Sequence, residues 1–472
     1  MLKRLTLIFS IIMIASMLLA ACAPATPAAP ATVAPPAPTT PPQIVEVTKI
    51  VAGTPVVQVI TATPAPTKLP PTPVVIKPIT IWTKFNDTKP QNTQDQWLAD
   101  TIQSLKAFEK IELKNVFVPY NEINTKLNLA VQAGGDVPDV SYADMPIDFF
   151  YQNKVFVDIT DFVKSAPWYS EISPSALKAC TGPDGKIYCV PSIQVGSMIY
   201  YWTSAYPNGA PKTTDDLLVA AAELKKQNKF ALTFNGPYGI FFWQIIRSFG
   251  GIDTDAKGNT AWATPETVKA IEFFRKLFAN KYAPEVALAA GFECETPIKD
   301  GSAGLFVAGS YSYVYLNPLK SFDGKSTFDK KAGSVEAALQ AGAMKIADPI
   351  SAPGGKPVSS VGVAAWAIPT GSKNVEGAKA FMNYMMTARN NADFAVAFGA
   401  QPTNLVGLKD PRFNSAYWTA VADSINRTGF VPPVNKNQKA ATKMVETITT
   451  LIQKPDMDIM ATLKSVQDEL NK

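Results

Sequence analysis

From residue 79 onward, short runs of β-branched and apolar residues alternate with stretches whose apolar residues recur at helical spacing. Residues 79–83 form the first run, Trp97, Ile102 and Leu105 follow near helical spacing, and a second apolar run covers residues 113–118. This order predicts a strand, a helix and a second strand.

The same alternation continues along the chain. Gly134 ends a second amphipathic stretch, and residues 138–142 begin the next strand. Thr213 and Thr264 are placed to cap two later helices, and residues 361–368 form a further strand. The pattern predicts an α/β fold with a mostly parallel sheet and a helical C-terminal part. About 390 residues are too many for one core, so we expect two lobes.

The N-terminus has the order of an export signal. Lys3 and Arg4 precede an apolar run over residues 5–19, and small residues then lead to Cys22. The run is shorter than the roughly 20 residues that span a bilayer, so we expect residues 1–21 to be removed as a signal peptide. An uncleaved anchor helix is the alternative.

Residues 22–78 are mostly Pro, Ala, Thr and Val, with very few charges. Such a composition buries too little apolar surface to offset the entropy of ordering, which predicts a disordered tether. Within it, the strings that begin at Val45 and Val57 echo each other and are rich in β-branched residues that favour extended backbone. The alternative is a short strand that pairs with the globular part.

Histidine is absent from the chain. Catalysis by Ser-His-Asp or Cys-His arrangements and the common zinc sites all need imidazole. The formal net charge is +5 and no basic run occurs, whereas a nucleic-acid site needs a clustered basic face. We therefore expect no enzyme activity, no metal, no cofactor and no nucleic-acid partner.

The cysteines beyond Cys22 number three. Cys180 and Cys189 flank a turn-rich stretch that could fold them across a hairpin, and an exported protein can be oxidised, so we expect a disulfide between them. Cys294 is expected to be a buried, unpaired thiol.

The residues Leu19-Ala20-Ala21-Cys22 resemble the lipobox of bacterial lipoproteins. The resemblance implies that signal peptidase cuts before Cys22 and that this cysteine carries acyl chains. Because each buried methylene contributes about 0.8 kcal/mol, several acyl chains anchor a protein effectively permanently. The chain is then expected at the cell membrane, lipid-anchored and facing outside.

A series of short strings occurs in a fixed order between residues 79 and 472. The strings are Ile81-Trp82, 130–134, Pro138-Asp139-Val140, Ile187-Tyr188, Val190-Pro191, Ile199-Tyr200-Tyr201, Pro211-Lys212-Thr213, Pro237-Tyr238, Gly250-Gly251, 304–309, Ala367-Ile368-Pro369 and Ser372-Lys373. Together they resemble the extracellular solute-binding proteins of bacterial ABC importers, specifically the maltodextrin-binding type of family 1. Each string is weak alone, and their order carries the resemblance.

The resemblance implies a two-lobed periplasmic-binding-protein type II fold with a ligand cleft at the hinge. By the same resemblance, lobe 1 holds residues 79–198 and 347–412, and lobe 2 holds 199–346 and 413–472. The chain departs from the family pattern at Thr214, where the family has Trp, and near residues 440–445, which lack an aromatic that maltodextrin binders place there. These departures concern the ligand and not the fold.

Sugars present flat apolar faces and rings of hydroxyls, so a sugar site needs aromatic platforms beside polar groups. Ligands of doubly wound lobes meet the loops at the carboxyl ends of the strands. That rule selects residues 82–87, 142–144, 238–243, 309–313 and 359–366. The predicted ligand-binding residues are Trp82, Asn86, Asp87, Asp144, Tyr238, Trp243, Tyr311, Trp366 and Gln401.

Each of these residues has a structural alternative. Asn86, Asp87 and Asp144 could instead begin a turn or cap a helix. Trp243 and Trp366 could instead pack in the core of a lobe. For Tyr313 and Tyr315, internal packing is equally open.

The resemblance implies a monomeric protein that closes two lobes around a sugar or oligosaccharide and delivers it to the permease subunits of an ABC transporter. Its contact with the membrane would be through the lipid anchor only. One alternative is a receptor module that hands its ligand to a chemosensory partner. Another is an anchored glycoside hydrolase, for which Asp87 and Asp144 could supply the required pair of carboxylates.

Overall fold

The computed structural model describes residues 44–51, 54–61, 78–120, 122–144, 151, 153–289, 291–430, 435–437 and 439–472. The predicted signal peptide and Cys22 lie outside these residues. Among the helices that the structure describes, none is both long and apolar enough to cross a membrane.

Part of the predicted tether forms a small antiparallel sheet. Strand β1 (Ile44–Val51) pairs with β2 (Thr54–Thr61) in a register that sets Ile44 opposite Thr61. The two echoing strings therefore pair with each other, where we expected a disordered linker or a strand paired to the globular part. Their β-branched residues favour extended backbone, and pairing satisfies the backbone groups that extension exposes. A hairpin of two strands is only marginally stable in water.

The main unit, from residue 75 to the C-terminus, is built on one mixed sheet. Its central strands follow the order β4-β3-β5-β12-β6-β8-β7, while β11, β13 and β14 add at the side and β9 pairs with β10. The strands are β3 (Ile79–Thr83), β4 (Leu113–Phe117), β5 (Val140–Asp144), β6 (Val190–Trp202), β7 (Phe230–Phe234), β8 (Ala303–Gly309), β9 (Leu319–Lys320), β10 (Thr327–Phe328), β11 (Met344–Ala347), β12 (Ser359–Ala367), β13 (Gln401–Pro402) and β14 (Gly429–Phe430).

Strand β6 changes partners halfway along its length. Up to Gly196 it pairs with β12, and from Ser197 it pairs with β8. The pairs β3–β4, β3–β5 and β7–β8 are parallel. The pairs β5–β12, β12–β6 and β6–β8 are antiparallel. The sheet is thus less parallel than expected, because β6 and β12 at its centre pair antiparallel with each other and with their neighbours β8 and β5.

Helices cover the sheet and form most of the C-terminal part. They are α1 (Thr93–Ser104), α2 (Ile123–Gln132), α3 (Thr160–Ser165), α4 (Pro174–Ala179), α5 (Thr214–Lys226), α6 (Ile240–Ser248), α7 (Pro265–Ala279), α8 (Thr296–Lys299), α9 (Ser334–Gln340), α10 (Val375–Met385), α11 (Ala388–Phe398), α12 (Ala416–Thr428), α13 (Ala440–Gln453) and α14 (Ile459–Leu470). The predicted caps are confirmed: Thr213 forms a capping box with Asp216, and Thr264 caps α7 ahead of Pro265.

The predicted disulfide is also confirmed. Cys180 and Cys189 are bonded, with their Cα atoms 5.1 Å apart, at the ends of a short hairpin that follows α4. Cys294 is free and buried, as expected, and burial raises the pKa of its thiol to about 12.

Candidate ligand-binding cleft

A cavity of about 400 Å³, hereafter the cleft, lies where β6 and β12 cross between the two halves of the sheet. Its floor is formed by residues of these two strands. One wall comes from the loops after β3 and β4 and from the start of α1, and the other from the segments after β7 and β8. The lining residues are Lys84, Asn92, Gln94, Asp95, Tyr120, Val195, Ser197, Tyr238, Ile240, Phe292, Gly309, Tyr311, Tyr315, Ser360, Gly362, Val363, Ala364 and Phe398.

Five aromatic rings form a continuous group around the cleft. The Tyr238 ring centroid lies 5.8 Å from Tyr120, 6.0 Å from Phe292 and 6.2 Å from Tyr311. Phe292 lies in turn 6.3 Å from Tyr315. Tyr120 belongs to one wall and the other four to the opposite wall, so the group reaches across the cleft. It offers the flat apolar surfaces on which a sugar ring can stack.

The ring of Tyr311 lies directly against the backbone of Gly309, the last residue of β8. A Cβ atom at Gly309 would come within 2.2 Å of the Tyr311 ring, so this position requires glycine. The Tyr311 hydroxyl oxygen is buried without a hydrogen-bond partner among the described residues. Burial, followed by the neighbouring Tyr238 and Glu295, raises the pKa of Tyr311 well above its usual value, so the hydroxyl stays neutral.

Polar groups face the rings from the first wall. The Lys84 Nζ lies 4.4 Å from the centroid of the Tyr120 ring and 4.8 Å from that of Phe398. Asn92 caps α1, because its Oδ1 accepts hydrogen bonds from the backbone N–H groups of Gln94 and Asp95. Asn92, Gln94 and Asp95 therefore belong to the first turn of α1, whose conformation is held by this cap.

Asp95 is the only carboxylate among the described residues that line the cleft. Its two oxygens accept hydrogen bonds from the backbone N–H groups of Asn86 at 2.8 Å and Gln91 at 3.0 Å. It thus holds the loop after β3 in place. Acid–base hydrolysis of a glycoside needs two carboxylates that flank the bond, and the described cleft lining offers one.

Tyr315 and Gln94 line the cleft from opposite walls. Burial raises the pKa of Tyr315, the carboxylates Asp95 and Glu295 add to the rise, and the Gln94 side chain opposes it. The Tyr315 hydroxyl is therefore neutral and able to donate.

A buried network of side chains supports the floor. Ser197 Oγ accepts a hydrogen bond from Gln244 Nε2 at 2.6 Å and from the backbone N–H of Ser360 at 3.1 Å, and it lies 2.9 Å from Ser359 Oγ. The Ser359 hydroxyl lies in turn 2.7 Å from Ser424 Oγ of α12. The network ties both crossing strands to α6 and α12 and fixes the floor where the lobes meet.

The structure brings Tyr238 and Tyr311 together at the cleft, and it places the other predicted residues elsewhere. Asn86 Oδ1 accepts hydrogen bonds from Thr88 and from the backbone of Lys89, which is the turn that we gave as its alternative. Asp87 accepts a 2.6 Å hydrogen bond from Asn115. Neither lines the cleft.

Trp82, Trp366 and Gln401 are buried away from the cleft, which corrects our expectation that they meet a ligand. Trp366 is fully buried and its indole N–H donates to Ser192 Oγ, so the strand turns this side chain into the core. Trp82 packs in the same core, and Gln401 lies opposite Gln194 in the sheet.

The two remaining predicted residues have other positions. The backbone of Asp144 pairs with Ala364 of β12, and its side chain is outside the described part of the structure. Trp243 lines a neighbouring groove and not the cleft itself.

Most of the residues that line the cleft were not predicted, among them Tyr120, Lys84, Phe292 and Gln94. Tyr120 follows β4, so the rule that selected the other loops would have found it had it been applied to that strand. Lys84 lies within a selected loop, from which Trp82, Asn86 and Asp87 were chosen instead. Phe292 and Gln94 lie outside the selected loops, and no sequence signal distinguishes them. Among the described residues, no group of three or more His, Cys, Asp or Glu side chains is placed to hold a metal ion.

The fold and the cleft define the class of two-lobed solute-binding proteins. The family model for bacterial extracellular solute-binding proteins matches residues 98–416, and the chain belongs to that family. This confirms the family to which the sequence strings pointed and gives the protein an extracytoplasmic location. The family consists of binding proteins and not of enzymes. Among curated proteins, none matches the chain by sequence.

Solved structures with the same fold include three proteins with bound acarbose, maltose or maltotriose. The GacH receptor of Streptomyces glaucescens GLA.O, solved unliganded and with acarbose, is 18% identical, with a TM-score of 0.69 over 83% of this chain and 98% of that one. Maltose-bound T. maritima MalE3 is 19% identical, with a TM-score of 0.69 over 83% and 98%. The Thermus thermophilus maltotriose-binding protein is 21% identical, with a TM-score of 0.66 over 83% and 99%. At these identities the likeness establishes the two-lobed α/β fold alone.

Proposed function

We propose that this protein is the lipid-anchored binding component of an ABC importer, which takes up a sugar or oligosaccharide in its cleft and delivers it to a membrane permease. The observation that carries the proposal is the group of five rings around a cavity at the crossing strands, with amide, hydroxyl and ammonium groups beside them. This combination suits a ring with flat faces and hydroxyl edges.

The solved structures support the sugar assignment by analogy. The three named above were solved with acarbose, maltose and maltotriose, and a further protein of the same fold, 19% identical, was solved with α-D-tagatose. These solutes are all carbohydrates or carbohydrate mimics. The analogy gives the class of solute and leaves the individual sugar to experiment.

Delivery requires that a bound ligand change the shape that a permease meets. We assign residues 79–198 and 347–412 to lobe 1 and residues 199–346 and 413–472 to lobe 2, and the change of β6 partners between Gly196 and Ser197 supports a boundary there. A ligand that touches both walls binds the closed arrangement more tightly than the open one and so shifts the population toward it.

Lipid at Cys22 would hold the binding module near its permease. Attachment to one membrane raises the effective concentration of one partner near the other. We expect the mature chain expressed in a bacterial host to begin at Cys22 and to carry acyl mass on its N-terminal peptide in mass spectrometry. A Cys22→Ser variant should be released from membranes. If the variant stays on the membrane and its N-terminal peptide has the same mass as that of the original protein apart from the substitution, the anchor is refuted.

The class of the ligand can be tested directly on the purified protein. Native mass spectrometry of the freshly purified chain should show a bound carbohydrate mass, and a thermal-shift screen over mono- and oligosaccharides should give a concentration-dependent rise in the melting temperature. Amino acids and oligopeptides serve as matched solutes. A shift with one of these and with none of the sugars would overturn the carbohydrate assignment and leave the binding-protein class intact.

A further inference from the structure

Among the described residues that line the cleft, two are glycines, Gly309 and Gly362. Glycine in the interior of a strand weakens that strand, because it has no side chain to pack and loses more conformational freedom than any other residue. At Gly309 the ring of Tyr311 explains the glycine, since it fills the space that a Cβ atom would take. Gly362 has no such neighbour.

The fold itself accepts a side chain at Gly362. A Cβ atom at this residue would come no closer than 3.9 Å to any described atom apart from its chain neighbours, which is ordinary van der Waals contact. The φ of Gly362 lies outside the left-handed region that favours glycine. By contrast, a Cβ atom at Gly196 on the adjacent strand β6 would lie 3.1 Å from Ile425. Packing therefore explains Gly196 and not Gly362.

Strand geometry does not explain Gly362 either. A glycine in a strand often marks a bulge, a tight bend, or a close approach by a ligand or another backbone. Gly362 pairs with Val195 in a ladder whose register is continuous from Val361 to Ala364, and the irregularity of that ladder comes after Ala364. The nearest backbone atom to a Cβ atom at Gly362, the oxygen of Val195, would lie 4.0 Å away. Close approach by a ligand is the remaining explanation.

Gly362 also has the position that this explanation requires. Side chains of a strand alternate between its two faces, so Ser360, Gly362 and Ala364 share one face of β12, and all three line the cleft. Gly362 is exposed there, between two residues with small side chains. The floor of the cleft at this point thus consists of open backbone.

We infer that Gly362 is a specificity-determining residue, because the space above its backbone is required by the bound solute and not by the fold. The glycine lets the flat face of a solute lie directly on the crossing strands, while the aromatic rings of the walls contact its sides. Even one added methyl group would lift the solute from the floor. The inference rests on the proposed function and adds the residue that limits the thickness of the solute.

Flexibility of a hinge is the competing explanation, because Gly362 lies where β12 crosses between the two halves of the sheet. The two roles predict different results. A hinge glycine acts in the absence of solute, since a side chain restricts the backbone whether or not the cleft is filled. Clearance for a solute affects binding alone, and the effect grows with the size of the added side chain.

The test measures stability, shape and affinity on the same variants of the full-length chain, Gly362→Ala and Gly362→Val. The matched controls are Gly135→Ala and Gly135→Val. Gly135 is exposed outside the cleft, and a Cβ atom there would come no closer than 3.7 Å to a described atom. Melting curves and small-angle X-ray scattering are recorded without sugar, and isothermal titration measures Kd for glucose, maltose, cellobiose and xylobiose.

Without sugar, both Gly362 variants should melt at the temperature of the original protein or above it, because a strand gains from a side chain that fits. Their radius of gyration should be unchanged. For a sugar that binds the original protein, Gly362→Ala should raise Kd about tenfold and Gly362→Val about a hundredfold or more, because each added group overlaps the solute. Both Gly135 variants should keep the original Kd.

Each outcome decides the question. A loss of affinity that is larger for Gly362→Val than for Gly362→Ala, in a protein of unchanged shape and undiminished stability, supports the inference. An unchanged Kd in Gly362→Val would overturn it, because the space would then be unused. A lower melting temperature or altered scattering without sugar would also overturn it, because the fold or the hinge would then require the glycine. In these cases the proposed function stands. If no sugar in the titrations or in the wider screen binds the original protein, the proposed function is wrong and the inference is wrong with it.

Discussion

The rings of Tyr120 and Tyr238 meet across the cleft, with centroids 5.8 Å apart and planes inclined by 34°. Tyr120 follows β4 in one wall, and Tyr238 ends a helical turn over Gly236–Tyr238 in the other. Tyr238 also contacts Phe292 and Tyr311, so a single ring links the first wall to the aromatic group of the second. The contact gives the proposed closed arrangement an aromatic bridge that a stacked ligand can extend.

Removal of one side of this bridge should weaken binding. We expect Tyr120→Ala to raise the Kd of the cognate sugar about tenfold, because a half-exposed aromatic platform is lost from one wall. Most of the loss should appear as faster dissociation, since the first wall would no longer hold the ligand or Tyr238. Isothermal titration and stopped-flow fluorescence measure the two quantities.

Phe117→Ala is a matched control for that prediction. Phe117 is also a half-exposed aromatic residue, at the end of β4 only three residues from Tyr120, but it does not line the cleft. Its variant should bind with unchanged affinity. Equal effects of the two substitutions would mean that Tyr120 acts on stability and not on the ligand.

Tyr311 should contribute its ring and not its hydroxyl. The hydroxyl is buried without a partner, which costs about 1 to 3 kcal/mol, so Tyr311→Phe should raise the free energy of unfolding by about 1 kcal/mol and leave Kd unchanged. Tyr311→Ala should raise Kd by about tenfold, because the platform beside Tyr238 is lost. Urea unfolding and titration separate the effects, and weaker sugar binding by Tyr311→Phe would show that the hydroxyl meets the ligand.

Much of the fold could be predicted from local pattern. The caps at Thr213 and Thr264 and the α/β alternation depend on residues close in sequence, and all of them appear in the structure. Two features were missed. The antiparallel pairing of β6 with β12 joins residues distant in sequence, whereas β1 and β2 are neighbours along the chain that pair inside a stretch whose overall composition favours disorder.

The site was harder to predict, because residues that share a face of a strand need not share surroundings. Ala364 and Trp366 are two apart on β12, where the pairing with β6 is irregular between Ala364 and Ala365, yet Ala364 lines the cleft while Trp366 is fully buried in the core. Tyr238 and Tyr311 were predicted because they lie in the segments that follow β7 and β8. In such a segment, closeness to the strand end matters more than the face to which a side chain points. Phe292 meets Tyr238 only through tertiary folding, which no local signal encodes.

The disulfide should stabilise the fold and leave binding unchanged. A bond between Cys180 and Cys189 closes a short loop, so a double Cys180→Ala and Cys189→Ala variant should lose about 2 to 3 kcal/mol of unfolding free energy. Neither cysteine lines the cleft, so its Kd for the cognate sugar should match that of the original protein. Dithiothreitol should lower the melting temperature of the original protein and not that of the variant; equal shifts in both would contradict the assignment.

Glu295 should make stability fall as pH rises. The side chain is 6% exposed, and burial raises its pKa from an ordinary value of 4.5 to about 7, against the opposing charge of Lys299. Between these two values the folded protein binds more protons than the unfolded chain, so unfolding free energy decreases from pH 4.5 to pH 7.

We expect Glu295→Gln, which cannot ionise, to be more stable than the original protein at pH 8 by up to about 3 kcal/mol, with the difference shrinking toward pH 5. Urea unfolding at both pH values measures this, and Glu272→Gln, at an exposed position of α7, is the matched control. A Glu295→Gln gain that is the same at pH 5 and pH 8 would show that the benefit comes from packing and not from the charge.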